Sequence, residues 1–379
     1  FWLKPFGLKS LRQCRPSCAR SHELAFAMAM LWVDKYRPKA LDDMDYHHEL
    51  SARLKRLAST GNQPHMLFVG PNGAGKATRV HALLRELYGK GVDAVKVETR
   101  SVAPNPNVPS NTVDIQVVVS NYHLQLTPSD VGNKDRSVVM QLIKDVASHP
   151  PLGGHPFKIV VIEEAGSLSS QAQAALRRTM ERYMKTCRII LMSDSASKII
   201  PPLRSRCLAV RVPAPTVEEV QAALMKAAAV EKQQVPPELA TTIARKTNQD
   251  LRRAMLVLES VCVQNSTLTK DMPLPEEAWD AAIGRVARMI LQEQSPKMAN
   301  EVRGKLYELM AACLPADFIL KELVLKLLAG QQNDELKQRA LAAAAHFEST
   351  MRLGSKDIFH LEAFVTRFMA DFKAATSRR

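Results

Sequence analysis

The chain has 379 residues, 46% of them hydrophobic and 24% charged, with 52 Lys+Arg against 38 Asp+Glu and a formal net charge of +14. That length exceeds one ordinary core and fits two or three domains. The composition is globular, and no run reaches the roughly 20 apolar residues of a membrane span. The basic balance favours a polyanionic partner. The six cysteines, at positions 14, 18, 187, 207, 262 and 313, show no C-x-x-C spacing that would hold zinc and read as reduced intracellular thiols.

Residues 1 to 30 carry Lys4, Lys9, Arg12, Arg15 and Arg20 against Glu23 alone. This acid-poor stretch reads as an organelle presequence or as sequence upstream of a start at Met28 or Met30. In both readings residues 1–29 are a basic extension, disordered or not native. A helix is expected over 47 to 60. The apolar run "HMLFVG" (65 to 70) predicts a buried strand, followed by a Gly-rich loop and a helix over 75 to 88. "VAPNPNVPSNT" (102 to 112) reads as a surface connection, and "DIQVVVSNYHLQL" alternates as one strand.

Apolar residues at 138, 139, 142, 143 and 146 predict a helix over 135 to 148. "FKIVVIEEA" (157 to 165) reads as a central parallel strand ending in two carboxylates. "SSQAQAALRRTMERYM" predicts a helix with a serine cap, and "CRIILMSD" (187 to 194) another buried strand. Strands alternating with helices argue for a parallel α/β sheet. The prolines of "RVPAP" (211 to 215) mark a hinge, beyond which the pattern is helical: 216 to 231, 236 to 248 and 249 to 264. A break at "KDMPLPEE" (270 to 277) opens a final helical block. There Trp279, Ile283, Val286, Met289 and Ile290 share one face, as do Val302, Leu306, Leu309, Met310 and Cys313, the marks of a bundle. The expected domains are 30–212, 213–268 and 269–379.

"GPNGAGKATR" (70 to 79) carries the chemistry. Gly70, Gly75 and Lys76 satisfy G-x-x-x-x-G-K, but Ala77 stands where a Ser or Thr hydroxyl would ligate Mg²⁺. In such a loop successive backbone N–H groups and a helix N-terminus converge on phosphate oxygens while the lysine neutralises charge. Pro71, Asn72, Gly73 and Ala74 complete the candidate site. Thr78 cannot replace the lost hydroxyl, since one helical step turns the side chain by about 100°. Some ninety residues on, "VVIEE" places Glu163 where a metal-binding carboxylate would stand and Glu164 where one would orient the attacking water. Glu163 is one methylene longer than the usual Asp, which octahedral Mg²⁺ tolerates poorly. Nucleotide binding, ATP or ADP, is expected to survive; hydrolysis and the grip on Mg²⁺ are expected to be weak.

"LWVDKYRP", "QAALRRTMERY", "PPLRSRC" and "DLRRAM" together resemble the small subunits of replication factor C, the clamp loader of the AAA+ superfamily. "SNYHLQLTPSDVGNKDR" and the substituted nucleotide motifs narrow the resemblance to the subunit 3 type, numbered subunit 5 in some species; it spans about residues 30 to 375. It implies an AAA+ α/β P-loop NTPase module, a small helical lid and an all-α C-terminal collar that holds five different subunits in a ring.

By position, the resemblance implies that Val33, Tyr36, Arg37 and Pro38 border the adenine and that Arg252 is the lid arginine sensing the γ-phosphate. It implies that Arg206, in Ser-Arg-Cys, is an arginine finger reaching a neighbour's ATP site. Asp194 stands where relatives have Asn, a third departure beside Ala77 and Glu163. Arg79, Lys134, Arg136 and Lys144 fall on or beside the helices that face DNA phosphates. The implied partners are the other subunits of a heteropentamer, a ring-shaped sliding clamp (proliferating cell nuclear antigen) and primer–template DNA, in the nucleus and without a membrane. A self-sufficient homohexameric motor would need both halves of each site intact, and a purely structural ring member would not need Lys76, Gly75 and Glu164.

Overall fold

The structure is a computed structural model; it describes residues 30–102, 112–128, 135–148, 157–265, 268–270, 272–275, 277–351, 353–354 and 356–377. The chain divides between Leu274 and Pro275 into two compact units. In the first, α1 (Trp32–Lys35) and α2 (His48–Ser59) precede β1 (Met66–Val69) and α3 (Lys76–Tyr88). Then come β2 (Lys96–Val102), β3 (Val113–Val119), β4 (His123–Leu126), α4 (Asp135–Ser148), β5 (Lys158–Ile162) and α5 (Ser170–Arg182). The module closes with β6 (Cys187–Ser193), α6 (Pro201–Arg204) and β7 (Leu208–Arg211), and α7 (Val217–Val230), α8 (Pro237–Lys246) and α9 (Leu251–Gln264) form the lid.

The seven strands form one sheet in the order β2-β3-β4-β5-β6-β1-β7. From β4 to β7 all pairings are parallel, and β2 and β3 extend that edge antiparallel. The central parallel strands β1, β5 and β6 are covered on both faces, which is why their sequences are largely apolar. Leu67, Val160, Ile162, Leu191 and α4 and α5 side chains such as Leu142 and Leu176 make one core. Met66, Phe68, Ile159, Val161, Ile190 and Met192 make the other with Leu54, Val80 and Leu83. Alternate residues of one strand thus feed two cores.

One expectation needs correction, and one strand was not expected. "DIQVVVSNYHLQL" is not one strand: it turns at Ser120–Tyr122 into β3 and β4, closed by Ser120 N–H donating to the His123 carbonyl at 2.8 Å. Strand β2 escapes a hydrophobicity reading because Lys96, Val97, Glu98 and Thr99 are all exposed on the sheet edge. Most of the expected surface connection, 103 to 111, lies outside the described residues.

The helices start where their caps dictate. Ser169 accepts from Ala172 N–H at the start of α5, and Thr216 and Glu219 form a reciprocal capping box on α7. The lid core joins Val220, Leu224, Leu239, Ile243 and Leu258, with Trp32, Val33 and Tyr36 from the N-terminal segment packed onto it.

The second unit holds α10 (Ala278–Gln292), α11 (Pro296–Ala311), α12 (Ala316–Leu328), α13 (Asp334–Met351) and α14 (Asp357–Ser377). Ile283, Val286, Ile290, Val302, Leu306 and Leu309 are buried there with Phe364 and Phe368, and Trp279, Met289 and Met310 pack at the margin. Cys313 departs from its expected face: it lies beyond the end of α11, exposed, at φ 61°.

Candidate functional site

Three parallel strands, β1, β5 and β6, end together at the carboxyl-terminal side of the sheet. Val69 pairs with Ser193 and Ile162 with Leu191, so the loop after β1, the Glu163–Glu164 pair after β5 and Asp194 after β6 are neighbours. Gly70 N–H donates to the Ser193 carbonyl at 3.2 Å. Within the loop, Gly73 and Gly75 adopt φ +72° and +81°, left-handed values that side chains disfavour. A side chain on Gly73 would collide with the carboxylate of Asp250, the N-cap of α9. Lid and loop are therefore in direct contact.

Lys76 opens α3 and folds back over the loop, donating to the carbonyls of Gly70 at 2.6 Å and Pro71 at 2.9 Å. Burial pulls its ammonium below the usual lysine value; Asp194 and Asp250 push it up, and Arg252 depresses it further. Those three groups thus act on the charge of the lysine that a phosphate would meet. Val33 and Tyr36 turn toward the lid, where the Tyr36 hydroxyl donates to Glu231 at 2.5 Å and Lys35 pairs with the same carboxylate at 2.6 Å. Arg37 donates to the Thr78 hydroxyl at 3.2 Å, which keeps Thr78 turned toward the N-terminal segment. Pro38 is half-buried next to Arg37.

The acidic residues have partners of their own. Glu163 accepts from Gln125 Nε2 at 2.7 Å and from the Thr127 hydroxyl at 3.4 Å. Asp194 accepts from Lys198 at 2.8 Å and from Ser195 N–H at 2.9 Å. Burial pushes the Asp194 carboxyl up, but Lys198 and the Ser195 amide outweigh it and hold it below the usual carboxylate range. Glu164 is exposed at φ 47°. Among the described residues no group of three or more His, Cys, Asp or Glu side chains is placed to hold a metal ion. With Ala77 in the loop and Glu163 engaged by Gln125, the residues fit a protein-held Mg²⁺ poorly, whereas loop, lysine and lid fit a nucleotide.

Arg206 sits elsewhere. It precedes β7, whose Leu208 pairs with Met66 at the start of β1, whereas the loop follows Val69 at the other end. Four residues of strand separate them, about 13 Å. Arg206 therefore cannot serve its own loop. It is half-exposed, donating to Glu181 at 2.7 Å and to the Pro202 carbonyl at 2.7 Å, while Arg177 shares Glu181 at 3.6 Å.

Of the residues expected at DNA, Arg136 and Lys144 are exposed on α4, and Lys134 lies outside the described residues. Arg79 is a correction: it is 0% exposed, donates to the Tyr46 carbonyl at 2.7 Å and lies 4.7 Å over the Tyr46 ring, so it cannot touch a backbone phosphate. Its helix turns it under the phosphate loop. Sequence reasoning also passed over Tyr46, whose hydroxyl donates to the Ala74 carbonyl at 3.1 Å, and Gln125 and Lys198, which no local pattern marks. Asp250 was readable as a capping residue just ahead of Arg252.

Comparison with known proteins follows the same division. Residues 279–376 match the model of the replication factor C subunit 3 C-terminal domain, 222–263 that of the RCF1/5-like AAA+ ATPase lid domain, and 46–216 that of the DNA polymerase III delta subunit. Replication factor C subunit 3 of Homo sapiens is 45% identical over 347 residues, covering 90% of this chain and 96% of that protein. The chain belongs to the replication factor C subunit 3/5 family. Replication factor C subunit 5 of Neurospora crassa is 46% identical over 349 residues, covering 91% of this chain and 98% of that one. The family accounts for an AAA+ module followed by a lid and a helical C-terminal unit. Among solved structures, the Thermotoga maritima RuvB Holliday junction branch migration motor aligns at 15% identity and TM-score 0.49 over 79% of this chain and 91% of its own, too distant to bear on function. Among the described residues no helix is long and apolar enough to cross a membrane.

Proposed function

We propose that this chain is a nucleotide-holding, weakly hydrolysing or non-hydrolysing subunit of a heteropentameric clamp loader, which uses ATP to open a sliding clamp and place it on primer–template DNA in the nucleus. Its own site binds ATP or ADP through the loop amides and Lys76, with Val33, Tyr36, Arg37 and Pro38 on the base side and Arg252 on the phosphate side. Arg206 is the group it lends to the ATP site of a neighbouring subunit. The observation that carries this reading is the separation of the two halves: loop and Arg206 stand at opposite ends of β1 and β7. In a ring, such a division puts one subunit's arginine at the next subunit's phosphates, where a guanidinium against developing charge is worth roughly 10³ to 10⁵ in rate.

The cis half supports weak hydrolysis in three ways. Position 77 offers no hydroxyl, Glu163 is held by Gln125, and Asp194 is ion-paired with Lys198. Any Mg²⁺ would arrive on the nucleotide and be held chiefly by phosphate and water. Arg136 and Lys144 supply sequence-independent contacts to DNA phosphates. The test is steady-state ATPase of the reconstituted pentamer with clamp and DNA, comparing wild type, Lys76→Ala and Arg206→Ala. A large loss confined to Arg206→Ala supports the reading; full activity in Arg206→Ala ends it.

A further inference from the structure

Arg79 is the buried cation that the proposed function leaves unused. Its guanidinium is fully enclosed; Nη2 reaches the Tyr46 carbonyl at 2.7 Å, while Nε and Nη1 have no hydrogen-bond partner among the described residues. Two unmade bonds on a buried charge are costly. Stability alone does not explain the arrangement; its neighbours do. Tyr46, buried under that guanidinium, sends its hydroxyl to the Ala74 carbonyl at 3.1 Å. Gly75 is what permits the approach: a side chain there would strike the Tyr46 hydroxyl and lie 3.6 Å from Arg79 Nη1.

The geometry points to Tyr46 and Arg79 as positioning residues that lock the Ala74–Gly75 peptide of the phosphate loop in its anion-receiving orientation. A trans peptide plane carries its C=O and the following N–H on opposite sides. With the Ala74 oxygen tied down to Tyr46, the Gly75 N–H is turned away from Tyr46, toward the space the loop encloses. Released, a peptide flanked by glycine is free to flip and present its oxygen, which repels phosphate. Arg79 holds Tyr46 by its carbonyl and by its ring face, and so acts through it.

This inference rests on the reading that the loop receives nucleotide phosphates. The test uses the full chain, with fluorescent ADP titration, adenosine competition and thermal unfolding without ligand, on wild type, Tyr46→Phe and Arg79→Met. Tyr46→Phe keeps the ring beneath the guanidinium and removes one hydrogen bond. It should weaken ADP roughly 10-fold, the value of one such buried bond, with adenosine affinity unchanged and the unfolding temperature lowered by no more than that one bond accounts for. Arg79→Met should move ADP affinity the same way. Full ADP affinity in Tyr46→Phe overturns the proposal, as does an equal loss for ADP and adenosine, which would place Tyr46 in the base pocket or the general fold. A folded wild type that binds adenosine but gains nothing from the phosphates overturns the phosphate-loop reading itself. Should Arg79→Met fail to fold, Tyr46→Phe decides alone.

Discussion

Asp135 ties the start of α4 to the start of α5, and removing it should loosen both helices by a calculable amount. The carboxylate is 3% exposed and accepts three bonds: from Arg136 N–H at 2.6 Å, Ser169 N–H at 2.7 Å and the Ser169 hydroxyl at 3.0 Å. The same Ser169 hydroxyl caps α5 by accepting from Ala172. Hydrogen bonds to a charged acceptor each contribute about 1.5 to 3 kcal/mol, less what the freed partners regain from water. Asp135→Ala should therefore cost about 3 kcal/mol locally, and Asp135→Asn, which keeps an acceptor, about 1 kcal/mol. Because the chain has more than one unit, a global unfolding midpoint is a poor reporter. Amide hydrogen exchange read by mass spectrometry resolves the region. Peptides covering the first turns of α4 and α5 should exchange roughly 100-fold faster in Asp135→Ala and under 10-fold faster in Asp135→Asn, with peptides of α10 to α14 unchanged. Unchanged protection around Ser169, or equal loss in the C-terminal unit, would refute the assignment of Asp135 as the local tie.

Burial holds His65 and His123 neutral, each titrating near 4 instead of 6.5. The unfolded chain takes up protons first as pH falls, so the stability they contribute is full above about pH 6.5 and lost toward pH 4, at most about 3 kcal/mol each. Replacing both by Asn should flatten the fall in unfolding temperature between pH 6.5 and 5. Gly73→Ala meets both a positive φ and the Asp250 carboxylate, and should destabilise the loop by about 1 to 3 kcal/mol and weaken ADP binding in fluorescence titration. In the assembled loader, Arg136→Ala and Lys144→Ala should each lower the salt dependence of DNA affinity by about one counterion, while Arg79→Met leaves that slope unchanged.

Much of the first unit was legible because buried parallel strands are continuously apolar and the phosphate loop carries a fixed glycine and lysine spacing. Ser169 announced its helix by side-chain chemistry that acts within one turn. What sequence could not supply were pairings across distance. Gln125 lies 38 residues from Glu163, and Arg79 lies 33 from the Tyr46 carbonyl it holds. A basic residue in the first turn of a helix reads as solvated whether or not a loop folds over it. The exposed edge strand β2 was silent for the opposite reason: it buries too little to leave a periodic trace.

At the exit from the sheet, Val212 N–H donates to the Val69 carbonyl at 2.8 Å, and the Val212 carbonyl fills the space a Gly70 side chain would take. The connection to the lid is thus stitched to the phosphate loop through main-chain atoms before Pro213 is reached. Main-chain stitching reads length and ignores side-chain identity. The residues from Pro213 to Pro215 therefore tolerate exchange among stiff, extended-chain formers, but one added residue would shift the Thr216 cap by about 3.3 to 3.6 Å and put lid and loop out of step.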